Sequence, residues 1–260
     1  MRWVIGDIHG MSRPLRTILD AVRRRDWNPR FIFVGDYVNR GPDSRGVIDL
    51  LLSLPDALFV RGNHDDIFDL VLRNGCYVCH DTGPDAVSAF KWFSNHGLMN
   101  TLQSYGLDYA EVESVARRPT LNRVRQLLEV VPGSHREFIQ HLRPFVEFDD
   151  MFVVHAMWDR DTPDDFSDLE ANARLRHRLL WGRYRGDEVS SPKHWRRTGY
   201  FGHTPMLNYG LPEAVPMRGP KIVMVDTGAA LGSTGRLSAL CADTGALIQS
   251  DPQGVLLESA

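Results

Sequence analysis

The 260-residue chain reads as an α/β protein on three observations: short apolar runs that each end in a polar cluster, helical periods between the first three runs, and a late hairpin pattern. Trp3-Val4-Ile5 stops at Gly6-Asp7-Ile8-His9-Gly10. Phe31-Ile32-Phe33-Val34 stops at Gly35-Asp36-Tyr37-Val38-Asn39-Arg40-Gly41, and Leu58-Phe59-Val60 stops at Arg61-Gly62-Asn63-His64-Asp65. Short, apolar and bracketed by glycine, each run fits a buried strand. Between them Leu15, Ile18, Leu19 and Val22 recur at helical spacing behind Pro14, and Val47, Leu50, Leu51 and Leu54 do so before Pro55. The order is βαβαβ. Crossovers of this kind make the strands parallel, so all three polar clusters emerge at one sheet edge.

From about Asp66 to Asp150 the chain is rich in Leu, Val, Arg and Glu, with helical periods at Ile67, Leu70 and Val71 and at Val124, Leu127 and Leu128. It predicts a helical cap, residues 66–150, inserted in a single domain spanning 1–260, because no low-complexity linker or repeat divides the chain. Three further junctions follow: Met151-Phe152-Val153-Val154 before His155, Tyr200-Phe201 before Gly202-His203-Thr204, and Ile222-Val223-Met224-Val225 before Asp226-Thr227-Gly228. Leu237-Ser238-Ala239-Leu240-Cys241 and Leu247-Ile248 around Asp243-Thr244-Gly245 read as a hairpin, expected in a second sheet that is partly antiparallel.

Composition narrows the function classes. With 43% hydrophobic and 24% charged residues the chain can bury a large core without disulfides, and a net charge of −3 supplies no global field for nucleic acid or anionic lipid. No apolar run reaches the roughly 20 residues of a membrane span, and the opening residues lack a signal-peptide apolar region. With only three cysteines, a reduced cytoplasmic setting is expected. Cys76-Tyr77-Val78-Cys79-His80 has the spacing of a haem attachment site, yet that chemistry normally needs export, so no haem is expected and the two thiols are read as packing residues.

Asp7, His9, Asp36, Asn63, His155 and His203 stand at strand ends and together offer carboxylate, imidazole and amide oxygen. That mixture suits Mn, Fe or Zn better than Ca or Mg, and the absence of cysteine disfavours a structural zinc site. Two cations bridged by a carboxylate clamp both oxygens of an in-line displacement at phosphorus. A lone Asp after a strand is ordinarily a cap and a lone His a satisfied polar group, but six at consecutive strand ends make a site.

These motifs, from Gly6 to Gly228, resemble the metallophosphatase signature of the calcineurin-like and serine/threonine phosphatase superfamily, in its bacterial and lambda-phage style. The resemblance implies a two-sheet β-sandwich flanked by helices and a dinuclear centre, usually manganese. It places Asp7 and His9 on the first metal, Asp36 between the two, and Asn63, His155 and His203 on the second. It makes His64 the general acid, a task suited to an imidazole. Arg40 closes the second motif, and Arg183 in Leu180-Trp181-Gly182-Arg183 is similar to the Trp-x-Arg segment of phage-type enzymes; both guanidiniums are expected on phosphate.

Two departures refine the expectation. Gly202-His203-Thr204-Pro205 lacks the second imidazole of the Gly-His-x-His motif of related nucleases and phosphodiesterases, which points toward the protein-phosphatase branch. Asn39 stands where protein phosphatases usually carry Asp, and an amide supplies no charge to favour the imidazolium of His64. Symmetrical dinucleoside tetraphosphatases also lack that Asp. The leading expectation is therefore a serine/threonine phosphatase acting on phosphoprotein or small phosphoesters, with a metal-bound hydroxide as nucleophile. The alternatives are a symmetrical dinucleoside tetraphosphatase and a phosphoprotein-binding module with weakened catalysis.

Overall fold

The structure is a computed structural model describing residues 1–73, 85–158, 173–211 and 213–257. The chain begins with β1 (Arg2–Ile5), α1 (Ser12–Arg25), β2 (Arg30–Phe33), α2 (Ser44–Leu52) and β3 (Leu58–Phe59), and the three strands are parallel, with Val4 opposite Ile32 and Phe33 opposite Phe59. Asp43 caps α2 by accepting from Gly46 N. Among the described residues six α-helices follow: α3 (Asn63–Arg73), α4 (Ala86–Phe93), α5 (Met99–Ser104), α6 (Tyr109–Arg117), α7 (Leu121–Leu128) and α8 (Gly133–Gln140). The second half holds β4 (Val146–Glu147), β5 (Met151–Val153), α9 (Ala173–Trp181), α10 (Gly186–Ser190), β6 (Thr198–Phe201), β7 (Met217–Arg218), β8 (Ile222–Met224), β9 (Leu237–Cys241), β10 (Leu247–Ser250) and β11 (Leu256–Leu257).

Two mixed sheets result. The first runs β11-β10-β9-β1-β2-β3 and the second β4-β5-β6-β8-β7. The hairpin is present as β9 and β10, but it lies in the first sheet, where β9 pairs antiparallel with β1, and not in the second as the sequence suggests. Local alternation fixes which side chains of a strand face one way; the choice of neighbour depends on contacts more than 230 residues away, such as Trp3 opposite Cys241. The helical interval also differs at its ends, running from Asn63 to Gln140, while Val146–Glu147 already pairs with β5.

Strand parity sorts the core into layers. Trp3, Ile5, Phe31 and Phe33 face α1, α2 and the six-helix interval in one buried cluster. Val4, Ile32, Val153, Tyr200 and Val223 point the other way and meet between the sheets. Phe152, Phe201, Ile222 and Met224 face α9 and α10 with Trp158, Leu179 and Trp195. The order is helices, sheet, sheet, helices. Ile67, Leu70, Val71, Val124, Leu127 and Leu128 are buried in the same cluster as the first sheet's outer face, so the interval shares that sheet's core. Among the described residues no helix is long and apolar enough to cross a membrane. The Cys76 to His80 motif lies outside the described residues.

Candidate metal centre

The polar residues that follow β1, β2, β3, β5, β6 and β8 converge. Asp36 stands at the centre, with Oδ2 3.4 Å from His9 Nε2 and Oδ1 3.5 Å from His155 Nε2. Asn63 Oδ1 lies 3.0 Å from His155 Nε2 and 2.9 Å from His203 Nδ1, and Asp7 Oδ2 accepts from His203 N at 2.9 Å. All six sequence-predicted residues are buried, at 5% exposure or less.

The proton positions show what this arrangement can accommodate. His9 Nδ1 donates to the Val38 carbonyl at 3.0 Å and His155 Nδ1 to the Val34 carbonyl at 2.9 Å, so each neutral ring turns a lone pair at Nε2 toward carboxylate or amide oxygen. The Nε2 atoms of both rings thus crowd the oxygens of Asp36 and Asn63. In keeping with this, buried Asp7 Oδ1, His9 Nε2, His203 Nε2 and Asp226 Oδ2 have no hydrogen-bond partner. The donor atoms of His9, Asp36 and His64, and of Asp36, His155 and His203, lie within 4.8 Å of one another in each trio, with Asp36 common to both. Cations on either side of Asp36, one beside His9 Nε2 and one beside His203 Nε2, would partner atoms that the protein leaves unpaired, so the residues fit divalent metals, and His64, whose Nδ1 is taken by Asn39, is not needed as a ligand.

The electrostatics agree. Burial pushes the Asp36 carboxyl up to about 7, and burial with the nearby carboxyls of Asp226 and Asp36 holds Asp7 well above the usual range. Desolvation holds His9 well below the ordinary imidazole range and lowers His155 to about 4, while His203 is lowered by desolvation and by His155. Neutral imidazole is the form that ligates, and added positive charge is what the crowded carboxyls lack.

Backbone geometry at the site is strained. His9, Asp36, Asn39, Arg40 and His203 all have positive φ, between 47° and 71°. Left-handed backbone at non-glycine residues costs on the order of 1–3 kcal/mol each and persists only where surrounding structure dictates it. Here the dictating contacts are explicit: Ile8 N and His9 N both donate to the Asp36 carbonyl, and Asp65 accepts from Gly62 N, Asp36 N and Tyr37 N at 2.8–2.9 Å. A Cβ on Gly62 would overlap Asp36 Oδ1 and its backbone nitrogen, which explains the glycine before Asn63. The Asp65 carboxylate is thus committed to backbone and not to His64.

His64 is held by Asn39. Asn39 Nδ2 donates to His64 Nδ1 at 2.9 Å, and Thr101 Oγ1 donates to Asn39 Oδ1 at 2.9 Å. Asn39 N in turn donates to Thr101 Oγ1 (2.9 Å) and to Ser44 Oγ (3.2 Å). With Nδ1 accepting, the proton of neutral His64 sits on Nε2. That nitrogen lies 3.2 Å from Arg40 Nη2, a donor only, so no acceptor of the protein faces it. Arg183 Nη1 donates to Thr204 Oγ1 at 3.1 Å, next to His203. Phe93 packs edge-on to His64 at 5.0 Å and Trp181 edge-on to His203 at 6.3 Å, forming apolar walls.

Several of these residues escaped sequence reasoning. Thr101 and Ser44 carry no motif; they reach Asn39 only because α5 and α2 pack together. Asp226 ends the sixth apolar run and could have been counted with the other strand-end carboxylates. It is buried beside Asp7, takes Gly228 N on Oδ1 at 2.9 Å, and has a carboxyl raised to about 6 by burial. Phe93 belongs to the helical interval, whose residues declared no ligand.

The family model for calcineurin-like phosphoesterases matches residues 2–205. The symmetrical bis(5'-nucleosyl)-tetraphosphatase of Coxiella burnetii (strain RSA 331) is 34% identical over 106 residues, a match covering 37% of this chain and 36% of the relative. The match therefore spans about a third of that relative's length. A solved structure described as a candidate diadenosine tetraphosphatase aligns over 100% of this chain and 94% of its own with a TM-score of 0.53 and 21% identity. A protein serine/threonine phosphatase from Saccharomyces cerevisiae aligns over 100% of this chain and 80% of its own with a TM-score of 0.51 and 15% identity. At such identities the two structures bear on the fold alone.

Proposed function

We propose that this chain, which belongs to the calcineurin-like phosphoesterase family, hydrolyses a phosphoanhydride bond of a symmetrical dinucleoside polyphosphate. The observation that carries the reading is the amide of Asn39 on His64 Nδ1. A serine alkoxide is a poor leaving group and needs a proton as it departs, so an enzyme for phosphoserine gains from a carboxylate that keeps its acid charged. A nucleoside diphosphate leaves through a phosphate oxygen whose own second pKa is about 6, and needs little help. Asn39 orients His64 without charging it, and burial and His9 hold the imidazole well below its ordinary range. That is an acid matched to a good leaving group. The sequence relatives named as tetraphosphatases support the same choice.

In this reading Asp7, His9, Asp36, Asn63, His155 and His203 would hold two divalent cations; Asp36, between His9 and His155, stands at the centre of the set. What such cations supply when bound is charge neutralisation on the reacting phosphoryl oxygens and a lowered pKa for water. Arg40 and Arg183 grip the non-bridging oxygens and hold the chain of phosphates in line. His64 presents Nε2–H to the departing oxygen, while Phe93 and Trp181 limit access of bulk water. The phosphoprotein reading keeps support from the Gly202-His203-Thr204 motif.

The test is product analysis. Incubated with diadenosine tetraphosphate and Mn²⁺, the protein should release ADP alone, and should act on a phosphoserine peptide far more slowly. Release of AMP with ATP, or faster turnover of the peptide, would overturn the proposal.

A further inference from the structure

We infer that the paired indoles of Trp92 and Trp181 form the seat for one nucleobase of the substrate, beside the phosphate-binding chamber. This rests on the dinucleoside reading of the site. The chamber is built from carboxylates, imidazoles and an amide suited to cations, with guanidiniums suited to phosphate, and offers no open π-face for a base. A substrate that carries nucleosides needs an apolar, planar surface nearby, since every base has a π-face.

The structure holds one such surface next to the chamber. Trp92 is the penultimate residue of α4 and Trp181 the last of α9, yet their rings meet with centroids 5.9 Å apart and planes only 20° from parallel. Both connect to the chamber through single ring contacts. Phe93, the neighbour of Trp92, is edge-on to His64 at 5.0 Å and to Trp181 at 6.4 Å, while Trp181 is edge-on to His203 at 6.3 Å. The pair thus lies one ring beyond the proposed acid and metal ligands.

Burial separates this pair from a mere packing joint. Phe93 is 2% exposed, as a core ring should be, whereas Trp92 keeps 47% of its surface open to solvent. Half of an indole, fixed in plane by Trp181, is left uncovered at a polar site. A base laid on it would extend an existing stack at little further cost in order, because the rings are already aligned. Arg183, two residues beyond Trp181, would meet the phosphates between base and chamber.

The experiment is calorimetric titration of the Mn²⁺-loaded protein with ADP and with inorganic pyrophosphate, in the wild type, Trp92→Ala and Trp92→Phe. The readout is the ratio of the two dissociation constants, which isolates the nucleoside from the phosphates. Loss of base stacking should shrink the preference for ADP by about five- to a hundredfold in Trp92→Ala, and Trp92→Phe should retain most of it. An unchanged ratio in Trp92→Ala reduces the indole pair to a joint between α4 and α9, and overturns the inference. So does a wild type that binds ADP no better than pyrophosphate. Because the ratio is read from binding, it stands apart from the product analysis that decides the dinucleoside reading: ADP preference with no cleavage of diadenosine tetraphosphate would condemn that reading and keep the base seat.

Discussion

Replacing Asn39 by Asp gives His64 a charged partner while changing the side chain's shape very little. In the structure Asn39 Nδ2 lies 2.9 Å from His64 Nδ1, and Thr101 Oγ1 already donates to the other arm of the amide. In the variant a carboxylate oxygen would face Nδ1 and draw a proton onto it. Opposite charges about 4 Å apart interact by about 4 kcal/mol at an effective dielectric near 20, or about three pKa units. Part of that is lost, because Asn39 is fully buried and a new carboxylate there must itself be desolvated. A net rise of about one to two units in the His64 pKa remains, in line with measured charge-partner effects. A general acid fails as pH rises through its pKa, so the alkaline limb should move upward by about the same one to two pH units. The effect should depend on the leaving group. An alkyl phosphate should gain about tenfold in kcat/KM at pH 8, one pKa unit's worth, whereas a nitrophenyl phosphate or dinucleotide should change little. The assay is a pair of pH–rate profiles with good and poor leaving groups, alongside a melting temperature. An alkaline limb that does not move for the alkyl substrate refutes the argument that Asn39 is the orienting partner of His64.

Removal of divalent metal should abolish hydrolysis, and Mn²⁺ should restore it better than Mg²⁺. Metal should also change the pH dependence of folding. Asp36 and Asp65 are raised from 3.8 to about 7 by burial and Asp226 to about 6, so the metal-free folded state holds protons that the unfolded chain has released. Their contribution is full below 3.8 and is lost progressively between 3.8 and the folded values of about 6 to about 7; scanning calorimetry should show the melting temperature of the metal-free protein falling across that interval, levelling off above it, and Mn²⁺ reducing the fall. Arg40→Ala or Arg183→Ala should weaken inhibition by inorganic phosphate together with kcat/KM, since a guanidinium grips phosphate in ground and transition states alike; unchanged inhibition constants in both variants would leave them as surface charges. Gly97→Ala should cost more than about 1 kcal/mol of stability and lower kcat, because Gly97 has φ +95° and an added Cβ would overlap the backbone of Arg40. Denaturant melts and steady-state rates check it.

Much of the fold was legible because it is written in short-range patterns. Trp3 and Ile5 against Val4, and Phe152 against Val153, alternate in sequence as they do across the two sheet faces. The site residues were legible for a related reason: chain polarity delivers Asp7, Asp36 and Asn63 to one edge of a parallel sheet whatever else the chain does. What resisted reading depends on partners far along the chain. The β9–β10 hairpin announced itself locally, but its seat beside β1 is decided by Trp3 meeting Cys241. The two residues of β4 are too few for a period to show.

The helical interval was the least readable part, and it bears on the chemistry at two points. Thr101 of α5 holds the amide of Asn39 so that its nitrogen, not its oxygen, faces His64, and Asn100 donates to the Arg40 carbonyl. Gly97, in the turn before α5, gives the backbone of Arg40 room to take its left-handed conformation. From the same interval α4 brings Phe93 onto His64 and Trp92 onto Trp181. A single packed unit therefore sets the partner of the proposed acid, the placement of the arginine proposed to bind phosphate and the aromatic surface beside the chamber. Mutations in α4 or α5 that preserve burial but shift the helices should change leaving-group preference and nucleotide preference together, because both are carried by one rigid element rather than by the strand ends.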